Sequence, residues 1–135
     1  MELSESLENY LEAIFHISAR KGAARAKDIA MALAVNNSSV TEALRSLSKK
    51  GLVNYAPYDL ITLTDAGKVV ALVVVNRHEV LHQFLAETLG LNEADSDSIA
   101  CKMEHVVTDE LIDRLQELIN YVGKECSTWN KSPQG

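Results

Sequence analysis

The sequence predicts a mainly α-helical chain interrupted once by a small β wing. Three observations carry this. Apolar residues recur at helical spacing through most of the chain, and two short helical stretches joined by an Asn-containing turn are followed at once by two alternating, strand-like segments. A long apolar helical stretch comes next, and behind it Cys, Glu and His gather at helical spacing.

The first helix is expected to begin near Ser4 or Ser6 and to run to about Lys21. Leu7, Tyr10, Leu11, Ile14 and Phe15 form its apolar stripe, Asn9, Glu12 and His16 lie together on the polar side, and Gly22 ends it. Ala26 to Leu33 makes a second, short helix with Ile29, Ala30 and Leu33 facing inward. Ala34-Val35-Asn36-Asn37 is a tight connection, with Asn available as a cap or for positive φ. A third helix, from about Ser38 to Lys50, buries Val40, Leu44 and Leu47 and stops at Gly51. Two short helices with such a turn, the second opening on small polar residues, read as helix-turn-helix. Leu52–Tyr55 and Leu60–Thr64 alternate like strands around Ala56-Pro57-Tyr58-Asp59, which makes a hairpin. Residues 1–64 are therefore expected to be a winged helix-turn-helix.

The fourth helix should start at Thr64-Asp65 and reach Leu89 before Gly90. Its Val69–Val75 stretch is apolar all round, so it needs cover on more than one side; the wing domain can supply one cover, and a second copy of the chain is the expected other. A fifth helix runs from about Glu93 through His105. A sixth runs from Thr108 to Val122, with Leu111, Leu115, Leu118 and Ile119 apolar, and Gly123 stops it. Residues 65–123 thus form a helical domain, and 124–135 a loose tail whose unusual residues are Cys126 and Trp129.

A net charge of −6 argues against nucleic-acid binding until it is divided along the chain. Residues 20–54 hold seven basic groups against Asp28 and Glu42, a balance of +5, while the remainder carries −11. A basic segment inside an acidic protein is the footprint of local phosphate contact, although a solvated helix face has the same composition. At the start of the third helix Asn36, Asn37, Ser38, Ser39, Thr41 and Glu42 offer short polar groups to phosphates and base edges. Ser38 and Ser39 also suit a cap. Lys27, Arg45, Lys49 and Lys50 suit phosphates, and only Arg45 suits bidentate reading of guanine, so part of the sequence preference falls to DNA shape. The N-terminus has no basic segment followed by an apolar one, and Val69–Val75 is too short to span a bilayer, so a cytoplasmic location is expected. The two cysteines form no CxxC and are expected to stay reduced there.

If residues 93–107 are helical, Cys101, Glu104 and His105 point to one side, as do His78 and His82 on the preceding helix. A thiolate, a carboxylate and imidazoles on two helices are the donor types for one divalent transition metal, against the plain alternative of a buried thiol with surface His and Glu. Asp97, four residues before Cys101, shares its face.

Several of these segments in order are similar to the diphtheria toxin repressor family of metal-dependent transcriptional repressors. The likeness rests on Leu3 to Phe15, Ala26-Lys-Asp-Ile-Ala, Ser38-Ser-Val-Thr, Lys50-Gly-Leu-Val, Leu63-Thr, Arg77-His78 and Cys101-x-x-Glu104-His105, and covers residues 3–123. The chain resembles the short, two-domain branch. The resemblance implies a homodimer that binds double-stranded operator DNA when loaded with metal, controls metal-ion homeostasis and is not an enzyme. It implies Glu12, His78, Cys101, Glu104 and His105 as metal ligands. Cys101 stands where iron regulators have Cys and manganese regulators a carboxylate. Asn9 stands where they carry Met or Asp and matches neither, so it is a weak candidate ligand. His82 and Asp97 fall at positions that iron regulators use, with different residue types, for a second site. One thiolate makes the set soft, which favours Fe2+ over Mn2+ as corepressor. Metal is expected to bridge the first helix to helices four and five and so fix the spacing of the two recognition helices. The rival readings are a winged-helix regulator answering to a small molecule or to thiol redox at Cys101, and, at longer odds, a small metalloenzyme.

Overall fold

The computed structural model describes residues 3–55, 60–126 and 128–129. It is mostly helical with one two-stranded sheet, as the patterning predicts, and divides into two compact units, one through Val73 and one from Val74.

In the first unit, α1 spans Glu5–Lys21, α2 Ala26–Leu33, α3 Asn37–Lys49, β1 Val53–Asn54 and β2 Thr62–Leu63. Helix α1 starts because Ser4 Oγ accepts the Leu7 amide at 3.2 Å. Glu5 and Glu8 in its first turn and Arg20 and Lys21 in its last complement the helix dipole. Gly22, at φ 85°, closes the helix by donating to Ser18 O at 2.7 Å. Tyr10, Leu11, Ile14 and Ile17 are buried, while the expected stripe members Leu7 and Phe15 pack half-buried at its edge.

Helix α2 is fastened at its start by the Arg25 amide donating to Asp28 Oδ2 at 3.3 Å. Burial alone would raise the Asp28 carboxyl, but the hydrogen bond and charge of Lys21, the Arg25 amide and Lys27 outweigh it and hold the group below its usual range. Ala34 ends α2 in the left-handed region at φ 55°, a place that usually takes Gly or Asn. The cap of α3 is Asn36 rather than Ser38 or Ser39. Its Oδ1 accepts the Ser39 amide at 2.8 Å and the Ser38 hydroxyl at 2.9 Å, so the helix begins one residue earlier than expected.

The wing strands pair antiparallel, Val53 with Leu63 and Asn54 with Thr62. The turn expected at Ala56–Asp59 lies outside the described residues. Ala24 and Ile61 exchange backbone hydrogen bonds at 2.9 and 2.7 Å, so the connection between α1 and α2 extends the sheet. Leu11, Ile14, Ile29, Val40, Leu44, Leu47, Leu52 and Ile61 form the core that seats these pieces.

Helix α4, Asp65–Gln83, begins with Thr64 Oγ1 accepting the Gly67 amide at 3.0 Å and donating to Gly51 O at 2.6 Å. The expected single helix to Leu89 is interrupted. Phe84–Thr88 is a π turn, which the Leu89 amide closes onto Phe84 O at 2.9 Å. Within one chain Ala71, Val74 and Val75 are buried, whereas Val69, Leu72 and Val73 are exposed, Val69 by 64%. By length and composition alone Asp65–Thr88 could cross a membrane. Arg77, His78, Glu79 and His82 in its second half argue against it, because ionisable side chains are expensive in lipid.

The second unit adds α5, Glu93–Met103, and α6, Asp109–Glu125. Asn92 caps α5 and Thr108 caps α6, each accepting an amide three residues on. Val80, Leu81, Leu85, Ala100, Ile112 and Ile119 make the core here. Two expectations need correction. Helix α5 ends at Met103 with Glu104 as its cap, so His105 lies in the following turn. Gly123 does not stop α6, which runs on to Glu125. A Cβ there would meet nothing within 4 Å, so Gly123 is simply an exposed helical residue. Of the four apolar residues named for this helix, Ile119 is buried and Leu115 half-buried, while Leu111 and Leu118 face outward. Past α6, the Trp129 indole N–H donates to the Thr88 carbonyl at the π turn.

Candidate metal centre and nucleic-acid interface

Within the second unit, α4 carries His78 and His82, and α5 with its cap carries Asp97, Cys101 and Glu104. His78 stands in the middle. Its Nδ1 lies 3.1 Å from Glu104 Oε1 and its Nε2 lies 3.0 Å from Asp97 Oδ1. Cys101 Sγ is 3.8 Å from the same Nδ1. Ligand atoms of His78, Asp97 and Cys101 all fall within 4.8 Å of one another.

A neutral imidazole has one N–H and can donate to one carboxylate, yet both ring nitrogens of His78 face carboxylate oxygens. Either a second proton or a cation must hold the set together. Glu104 is only 1% exposed, and its Oε2 is buried with no hydrogen-bond partner among the described residues. A buried carboxylate with one orphaned oxygen is costly unless a positive charge meets it. The donor types are those of a divalent transition-metal site, and a thiolate among them excludes a site for the hard alkaline-earth ions alone. These residues fit a metal ion.

His82 and Asp97, the two candidates for a second site, take different partners. Asp97 joins His78, whereas His82 Nε2 pairs with Glu93 Oε1 at 2.8 Å. The rings of His78 and His82 stack with centroids 6.2 Å apart, as their four-residue spacing implies. His105 is half-buried in the turn after α5, and Glu12 and Asn9 are half-buried on α1 in the other unit. Sequence reading did not single out Glu93, whose place in the first turn of α5 looked like a helix-dipole preference. Nor did it find Asp109, whose Oδ1 accepts Arg77 Nη2 at 3.2 Å beside His78. The helix-start pattern Thr108-Asp109 hides that pairing.

In the first unit the basic segment is open to solvent. Lys27, Asn36, Asn37, Ser38, Glu42, Arg45, Lys49 and Lys50 are exposed, and Ser39 and Thr41 are half-buried. Thr41 Oγ1 donates to Asn37 O at 3.1 Å, which occupies its proton but leaves the oxygen able to accept. Glu42 lines a groove with Tyr10, Ser4, Ser39 and Ser46. Burial, and then the charge of Glu42, push the Tyr10 phenol above its usual range, so Tyr10 stays a neutral donor.

Comparison with known proteins follows the same division. The iron dependent repressor N-terminal DNA binding domain matches residues 2–60, and the iron dependent repressor metal binding and dimerisation domain matches residues 64–134. An uncharacterised HTH-type transcriptional regulator of Methanocaldococcus jannaschii is 37% identical over 115 residues, 84% of this chain and 92% of its own. The HTH-type transcriptional regulator MntR of Bacillus subtilis is 39% identical over 116 residues, 86% of this chain and 81% of its own. Among solved structures, a manganese-dependent transcriptional repressor in complex with manganese superposes with a TM-score of 0.76 at 30% identity, over 85% of this chain and 53% of that one. IdeR of T. acidophilum gives 0.77 at 26% identity, over 89% and 55%. The chain spans about half the length of these solved repressors.

Proposed function

Because the chain belongs to the iron dependent repressor family, we propose that it is a homodimeric transcriptional repressor that binds double-stranded operator DNA when it holds a divalent metal ion. The observation that supports this reading most is Glu104, buried and half unsatisfied, facing a His78 that also meets Asp97 and lies beside Cys101. His78, Cys101, Glu104 and His105 are the proposed ligands, with Asp97 able to join them. The family resemblance adds Glu12 and, more weakly, Asn9. A bound ion supplies the positive charge that these donors require. Lys27, Arg45, Lys49 and Lys50 contact phosphates, and Asn36 to Glu42 face the groove.

Metal and DNA then strengthen each other's binding reciprocally, because each favours the same state. Fe2+ is the proposed corepressor, on the softness that Cys101 gives the site. Mn2+ is the second reading. It is favoured by the carboxylates of Asp97 and Glu104 and by similarity to a regulator named MntR and to a manganese-dependent repressor.

Operator binding by the purified chain, measured anaerobically with Fe2+, Mn2+, Co2+, Ni2+ and Zn2+ and with a chelator control, tests this directly. Tight binding with metal and loss with chelator are expected, most strongly for Fe2+. Equal affinity with and without metal overturns the reading. A Mn2+ optimum overturns only the choice of ion.

A further inference from the structure

The first unit contains a cavity of about 330 Å³ that the metal and DNA residues do not use, lined by Phe15, Ser18, Ala19, Thr62, Leu63 and Lys68. It lies between the C-terminal half of α1, strand β2 of the wing and the first turns of α4. Most of its lining is apolar, and its volume sits at the small end of ligand pockets. Three polar side chains, Ser18, Thr62 and Lys68, break that lining, and Thr62 Oγ1 already accepts from Asn54 Nδ2 at 3.0 Å. The Ser18 hydroxyl is buried and has no hydrogen-bond partner among the described residues, although a buried hydroxyl is normally paired. The Lys68 ammonium has no ion pair or hydrogen bond among the described residues, its backbone amide alone donating to Thr64 O at 2.9 Å.

From this we infer that the cavity binds a small amphipathic monocarboxylate. The apolar part, a single ring or a short acyl chain, rests against Phe15 and Leu63, and the carboxylate meets Lys68 and accepts from Ser18. One lining cation suits one negative charge, and the apolar walls exclude a phosphate, which would need several donors and water. A neutral ligand would leave Lys68 unmatched. Because the occupant touches both α1 and β2, it ties the wing to the first helix. Binding is therefore a second input to the DNA-binding unit, separate from metal.

The test is a titration of the isotope-labelled full chain, held metal-free by chelator and without DNA, so that its outcome is independent of the metal reading. Phenylacetate and hexanoate are compared with their neutral amides while backbone amide shifts are followed by NMR. Saturable shifts at Ser18, Ala19, Thr62 and Leu63 are expected, with the acids binding at least about tenfold more tightly than the amides. Lys68→Gln should bring the acids down to the affinity of the amides. Ala19→Leu, at the exposed rim, should block both. No saturable shift with either acid, equal affinity of acid and amide, or shifts that map elsewhere would each overturn the inference.

Discussion

At Glu104 one carboxylate oxygen is buried with no hydrogen-bond partner among the described residues, and both ring nitrogens of the neighbouring His78 face carboxylate oxygens. Glu104→Gln keeps the shape of the side chain but removes the charge that a cation would meet. Metal affinity should fall by about 100-fold or more, read by competition with a chelating dye, while the metal-free melting temperature stays the same or rises. An unchanged metal affinity would take Glu104 out of the site. Cys101→Asp hardens the donor set, so the ratio of Fe2+ to Mn2+ affinity should shift toward Mn2+ by about tenfold. If the ratio does not move, the thiolate is not a ligand. Much of this centre was legible in the sequence. The four-residue spacings of His78 with His82 and of Asp97 with Cys101 placed each pair correctly on a helix face. What the spacing could not show is that α5 stops at Met103. Cys101 therefore stays exposed on the last turn while Glu104, only three residues on, turns inward as the cap.

Two glycines mark the limit of sequence reading among the helices. Gly123 looks like a stop signal and is an ordinary exposed position of α6, whereas Gly67 looks like a weak residue inside α4 and is indispensable. A Cβ on Gly67 would lie 1.9 Å from the Leu52 carbonyl oxygen, which is backbone and cannot swing away. Gly67→Ala should cost about 3 kcal/mol or more, against a fraction of that gained by Gly123→Ala, and urea midpoints of the two variants measure the difference. Propensity ranks both substitutions as improvements, and only the distance to Leu52 separates them. The start of α2 makes a pH-dependent case. Asp28 is held below its usual range in the folded state, so its contribution is present above the unfolded carboxyl value of about 3.9 and is lost as pH falls through the folded value. Wild type should therefore exceed Asp28→Asn in stability at pH 7, and the gap should shrink progressively as pH falls below the unfolded carboxyl value of about 3.9. A gap that stays constant as the carboxyl is titrated would remove the pairing with Lys21 from the account.

Across the whole chain, charge is segregated rather than balanced, with +5 in residues 20–54 and −6 overall. DNA affinity should therefore fall steeply with salt despite the acidic total, because phosphate contact is local. Lys49→Ala and Lys50→Ala should each lower the slope of log affinity against log salt by about one per subunit and weaken all DNA sequences alike, whereas Arg45→Ala should also relax sequence preference. Fluorescence anisotropy over a salt series separates these outcomes. The two-part organisation was legible because helical periodicity gives way to strand alternation only once, between Leu52 and Thr64. The π turn was not, since Phe84–Thr88 keeps the apolar spacing of an ordinary helix end.

That turn also provides an optical handle. The chain has one tryptophan, and its indole hydrogen-bonds to the Thr88 carbonyl. Emission excited at the red edge, where tyrosine does not absorb, consequently watches the C-terminal half alone. Circular dichroism sees both halves, so a melt followed by the two signals together will reveal whether they come apart in one step or in two.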